Sequence, residues 1–184
     1  MAKNNPRLCV AGIKLRDQVN KNYPARDKAS DGWIGDTKHQ KTKSDHNPDS
    51  KGIVRALDID ADLGKGYDSL ELAESLRNAA KNGDKRISYI IHKKKIASKV
   101  LGWKWRAYVG SNPHISHIHI SFTELGDNDK KAFDINIQKV VKEVKTPITR
   151  TTAYNTEIDA IKIDIIAIQN RLKKLEDLVK KSPR

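Results

Sequence analysis

Three of the chain's six histidines are crowded into one short stretch, His114-Ile115-Ser116-His117-Ile118-His119-Ile120-Ser121. If this stretch is a strand, side chains alternate, so His117, His119 and Ser121 share one face and Ile118, Ile120 and Phe122 the other. Two imidazoles on one strand face start roughly 6.5–7 Å apart, close enough to converge on one small site. A second set lies upstream, Ser44-Asp45-His46-Asn47-Pro48 followed by Ala56-Leu57-Asp58-Ile59-Asp60. His46 falls in a polar loop. Asp58 falls in an apolar run, where a carboxylate is costly unless it is paired or bound to a metal. Taken singly, each of these residues also reads as a structural histidine or a satisfied aspartate. Taken together, His46, Asp58 and a third histidine make three ligands for tetrahedral zinc with one position open to water, the pattern of a catalytic rather than a structural site. Zinc in that setting activates water and polarises a carbonyl, which is the chemistry of amide hydrolysis.

The elements that must position these residues follow from the hydrophobic periodicity. Residues 6–22 read as a helix, with Leu8, Ala11, Leu15 and Val19 on one stripe. A long polar stretch over 25–52 reads as a loop that is either functional or disordered. The run Ile53-Val54-Arg55-Ala56-Leu57-Asp58-Ile59 suits a strand. Residues 69–82 read as a second helix stopped by Asn82-Gly83. Strands are expected over 87–92 and 115–122, with a hairpin in the basic, aromatic segment 93–108 between them. Helices and strands without a regular βαβ repeat give an α+β domain, with a small antiparallel sheet and flanking helices.

Residues 126–152 read as a polar linker. Beyond it, Ile158, Ile161, Ile165, Ile168, Leu172, Leu175 and Val179 recur at alternating spacings of three and four, a heptad seam. Residues 153–181 are therefore expected to form a coiled-coil helix that joins copies of the chain. Isoleucine at both core positions of its first half favours more than two strands, and a trimer is the expected state.

The formal net charge of +13 favours acidic partners. Nucleic acid, anionic lipid and anionic wall polymers all qualify, but no DNA- or RNA-binding motif is present and that reading leaves the His/Asp set unexplained. Cys9 is the one cysteine, so no intramolecular disulfide framework exists, and its apolar surroundings suit a buried small hydrophobe. No uncharged run approaches the ~20 residues of a membrane span. The first residues carry no apolar signal segment, so the expectation is synthesis in the cytoplasm with delivery to any extracellular target by other means.

The motifs resemble the D-Ala-D-Ala metallopeptidase group, peptidase family M15 in the lysostaphin/hedgehog-type zinc superfamily, and within it the wall-cleaving domains of bacteriophages. Ser44-Asp45-His46 with Ala56-Leu57-Asp58-Ile59 matches the S-x-H … A-x-D-I motif, and His117-Ile118-His119-Ile120-Ser121 matches the H-x-H strand. Asp31-Gly32-Trp33-Ile34-Gly35-Asp36 and the segment from Gly102 to His114 are also similar to the phage-type subgroup. The match covers about residues 7–123 and sets the expected zinc peptidase domain at 1–125. It implies Zn2+ held by His46, Asp58 and His119, and peptidoglycan stem peptides as substrate. By the same resemblance His117 is the general base and His114 assists it. Ser116 stands where other members carry an acidic base. The twelve positions from His46 to Asp58 exceed the usual spacing, with the extra residues reading as a turn insertion. Ser44, Trp103, Trp105, Arg106 and Tyr108 are the expected substrate-binding residues. Such an enzyme on an oligomeric stalk suggests a tail-borne lysin bound to other phage tail proteins, acting at the cell wall, or else a free endolysin.

Overall fold

The computed structural model describes residues 5–135 except 38; residues 126–135 of the expected linker fall inside this range and the expected coiled coil outside it. The chain is α+β. In order come β1 (Arg7–Leu8), α1 (Val10–Asn22), β2 (Ile53–Val54), β3 (Ala56–Asp60), α2 (Ser69–Lys81), β4 (Ile87–His92), β5 (Lys95–Ser98), β6 (Arg106–Ala107) and β7 (His117–Phe122). Five strands form an antiparallel sheet in the order β3-β7-β4-β5-β6, while β1 and β2 form a separate parallel pair. The histidine-rich strand β7 is thus flanked by β3 and β4.

Alternation divides the sheet into two chemical faces. Leu57, Ile59, Ile90, Ile118, Ile120 and Phe122 are buried in the core. There α1 packs on β3 and α2 on β4, through Leu15 and Val19 and through Leu72 and Leu76. Each such side chain contributes about 1.5–3 kcal/mol by leaving water. A register slip of one residue would turn the whole set outward, so the core fixes which side chains occupy the other face. Among the described residues no helix is long and apolar enough to cross a membrane.

Two local departures from the sequence reading have physical causes. The chain at Arg7–Leu8 is extended, because Arg7 and Cys9 donate their backbone N–H groups to Gly52 and Val54; the helix begins only at Val10. The apolar run from Ile53 splits at Arg55, whose guanidinium pairs with Asp49 and Asp127. Among residues 126–135, Gly126, Asp127 and Phe133 are buried. Phe133 is 4% exposed and exchanges two hydrogen bonds with the Gln18 amide, and Arg86 lies over its ring.

Helix α2 is capped by Asp68, whose carboxylate accepts from the Leu70 N–H, and it ends at Asn82 before Gly83, whose φ of 114° suits glycine. The β4–β5 hairpin turns through Lys93 and Lys94, at φ 44° and 62°. Left-handed backbone costs a lysine on the order of 1–2 kcal/mol per residue. The two N–H groups are spent on the carbonyls of His114 and Pro113, so the strained turn clasps the loop that carries His114.

Candidate metal centre

Strand register brings two of the candidate ligands together. Asp58 on β3 lies opposite His119 on β7, with Asp60 opposite His117 and Ala56 opposite Ser121. On the other flank Ile91 lies opposite His119 and Tyr89 opposite Ser121. Directly opposed residues share a face, so Asp58, Tyr89, His117, His119 and Ser121 all project away from the core.

The third, His46, arrives on the polar loop, which is held by many small tethers. Gly32 exchanges backbone hydrogen bonds with Asp58, and Gly35 donates to the His46 carbonyl. The buried Arg26 guanidinium grips Asp31, whose carboxylate also accepts from the Asp60 N–H. Asp49 accepts from the N–H groups of Lys51 and Ile53. Ser44 Oγ accepts from the His46 N–H at 3.3 Å.

His46, Asp58 and His119 converge so that their ligand atoms all lie within 4.8 Å of one another. His46 Nε2 stands 3.2 Å from His119 Nδ1 and 3.3 Å from Asp58 Oδ2, and His119 Nδ1 stands 2.9 Å from Asp58 Oδ1. Tetrahedral donors around an ion bound at about 2.0–2.1 Å are separated by roughly 3.3 Å; the two Asp58 contacts reach different carboxylate oxygens, and the three residues form a possible site for a metal ion. The His46 ring also hydrogen-bonds the Trp33 backbone. With Nε2 turned into the cluster, Nδ1 is left to donate to that carbonyl. Such an outer acceptor is what orients a ligating histidine.

The electrostatics agree. Burial raises the pKa of Asp58, but hydrogen bonds from His119 and His46 outweigh it and hold the carboxyl well below the usual carboxylate range. Burial lowers His46, yet its bond to Asp58 prevails and raises it. Around this core, His117 Nε2 lies 3.8 Å from Asp58 Oδ2. Burial depresses His117 despite the opposing pull of Asp58. His114 has a left-handed backbone, φ 50°, and its Nδ1 is 2.6 Å from the Asn112 carbonyl. Burial first, then its histidine neighbours, push it down to about 4. Its ring lies against those of His117, His119 and Tyr108.

These groups line a cleft of about 400 Å³, together with Ser44 and Tyr108. The remaining expected substrate residues lie elsewhere. Gly102 and Trp103 both adopt left-handed backbone, and Trp103 turns into the core, 7% exposed. Trp105 donates from Nε1 to Glu74 on α2, and Arg106 donates to Ser98 Oγ. A larger cavity of about 1260 Å³ runs along α2 past Trp105, but none of the three converging ligands lines it.

The sequence reading gave no role to Tyr89 or His92. Tyr89 stacks on His119 with ring centroids 5.6 Å apart. The buried His92 links Ser69 Oγ, 3.0 Å from its Nε2, to the His117 carbonyl, 2.9 Å from its Nδ1. Alternation in β4 places Tyr89 on one face or the other; only the register tells which residue it meets. No family model, curated protein or solved structure matches the chain at a significant level.

Proposed function

We propose that the chain is a zinc-dependent hydrolase that cuts peptide bonds in the stem peptides of bacterial peptidoglycan. The observation that carries this reading is the convergence of two imidazoles and one carboxylate, from three separate segments, within 4.8 Å. Three protein donors leave a fourth position for water or substrate. Zinc held there supplies Lewis acidity toward a carbonyl oxygen and lowers the pKa of a bound water toward ~7.

The chain's own residues do the rest. His117 stands at the edge of the cluster, where its Nε2 accepts a proton from the attacking water and returns it to the leaving amine. His114 donates from Nδ1 to the Asn112 carbonyl, which leaves its Nε2 as an acceptor in the same cleft. Ser44 holds the backbone of His46, and Tyr108 borders the cleft beside His114. The substrate class rests on the resemblance of the S-x-H … A-x-D-I and H-x-H motifs to the wall-cleaving metallopeptidases. The heptad seam over 153–181 supports assembly of the enzyme into an oligomer, proposed as a trimer on a phage tail.

Metal analysis and a peptidoglycan zymogram test the reading together. Wild-type protein from zinc-replete medium is expected to carry about one zinc per chain, to clear peptidoglycan and to stop clearing when a chelator is added. His119→Ala is expected to lose both metal and clearing. Clean, folded wild type that takes up no metal overturns the proposal. Mass spectrometry of the released muropeptides identifies the bond cut.

A further inference from the structure

At the end of β4 the register with β7 breaks. Ile91 lies opposite His119, so two further residues on each strand would pair Lys93 with His117. Instead the Lys93 N–H donates to the His114 carbonyl at 2.9 Å. The neighbouring Ser116 carbonyl accepts from Ala61, just past β3, and backbone groups alternate between the two flanks of a strand. The His117 carbonyl therefore points toward β4, at the place where the ladder has parted. A side chain meets it there: His92 Nδ1 lies 2.9 Å from the His117 oxygen.

His92 is 1% exposed, and by alternation it projects from the face opposite Ile91 and His119. On that side its Nε2 lies 3.0 Å from Ser69 Oγ, in the first turn of α2. A carbonyl only accepts, so His92 Nδ1 carries the ring hydrogen. Burial lowers the His92 pKa and favours the neutral ring. Nε2 then accepts, and the Ser69 hydroxyl donates. Both ring nitrogens are satisfied, and the imidazole is braced between the helix and the strand.

We infer that His92, braced by Ser69, is a positioning residue for His117, an inference that rests on the role of His117 proposed above. His117 is the first residue of β7, with a loop immediately before it. Its imidazole stands on the far face of the sheet from His92, with Nε2 3.8 Å from Asp58 Oδ2. Holding the carbonyl fixes the peptide plane, and with it the direction in which the His117 side chain leaves the strand. The adjacent pair His92-Lys93 thus grips both cleft histidines by their carbonyls, His117 through a side chain and His114 through a backbone N–H.

The test compares two amides in full-length protein. In His92→Asn the amide nitrogen takes the place of Nδ1 and still donates to His117. In His92→Gln it takes the place of Nε2 and reaches only Ser69. Turnover is measured with zinc-loaded protein on soluble peptidoglycan fragments, and zinc affinity by competition with a chromophoric chelator. The ring hydrogen is located by 15N NMR of histidine-labelled wild type, where it is expected on His92 Nδ1. His92→Gln is expected to lose kcat roughly 10–100-fold, because a small displacement of a catalytic group is costly. Its KM and zinc affinity should stay as in wild type, and His92→Asn should recover most of the lost kcat. Equal turnover in the two folded variants, a loss of zinc affinity that matches the loss of turnover, or a hydrogen on Nε2 overturns the inference and leaves the proposed function standing. A wild type that takes up zinc and cleaves nothing removes the hydrolase reading and the inference with it.

Discussion

The two regions that supply the candidate ligands are built on opposite principles. Asp58 and His119 are cross-strand neighbours whose meeting follows from the register of β3 and β7. That register is held by the apolar face of the same strands. His46 sits on a loop whose apolar anchor is the half-buried Trp33 against the core, and which is otherwise held by polar contacts: Ser44, Asp49, the Arg26–Asp31 pair and the Gly32–Asp58 bridge. A sheet positions a ligand as a by-product of folding. A tethered loop positions one through polar contacts, each worth about 0.5–1.5 kcal/mol, that can fail singly. Stability and metal affinity should therefore come apart when the two regions are disturbed.

The largest effect is expected on the sheet. Ile120 is fully buried, between Leu57 and Ile90 in register. Ile120→Ala should cost about 2–5 kcal/mol through lost burial and the cavity left behind. The backbone ladder and the face bearing Asp58 and His119 stay in place. Zinc affinity per folded molecule should change by less than for any loop variant. Chemical denaturation beside chelator competition checks this, and a loss of affinity matching the loss of stability would dissolve the distinction between the regions.

The same contrast governs what could be read from the residues beforehand. Alternation in His117–Phe122 was legible because Ile118, Ile120 and Phe122 can face only the core, which sends His117, His119 and Ser121 the other way. The length of β4 and the end of α2 were legible for similar local reasons. Trp103 was not. An aromatic residue near a basic stretch reads equally as groove or core, and its burial depends on left-handed backbone at Gly102 and Trp103. Tyr89 was hidden because its partner is chosen by register, a long-range property. The split at Arg55 was hidden because Asp49 and Asp127 lie far from each other in sequence. The convergence of His46 with the sheet came through motif resemblance; the tethers that achieve it carry no periodic signal.

Those tethers are the next place to press. Asp49→Ala removes the acceptor for the N–H groups of Lys51 and Ile53 and one partner of Arg55, which keeps Asp127. The expected cost is smaller than for Ile120→Ala, about 1–2 kcal/mol. The loss of zinc affinity should nevertheless be greater, because the turn after His46 loosens. An Asp49→Ala protein that binds zinc as tightly as wild type would show that the loop is held by its contacts with β3 alone.

Acid sharpens the same point with the smallest change. Burial raises the Asp49 pKa, but the N–H groups of Ile53 and Lys51 and the Arg55 guanidinium outweigh it and lower the value in the folded protein. A carboxyl with a depressed folded pKa contributes stability that is fully present above its unfolded value of about 3.9 and is lost as pH falls through the folded value. The carboxylate is partly exposed, so solvent screens its pairing with Arg55 and the charge contributes at most about 1 kcal/mol. Asp49→Asn keeps one acceptor oxygen and removes the charge. Wild type should exceed the variant by a constant margin between about pH 5 and 7, and the margin should shrink below about pH 4 as Asp49 takes up its proton. Paired denaturation curves across that range measure it. A margin that persists unchanged into acid would assign the tether to the shape of the side chain rather than to its charge.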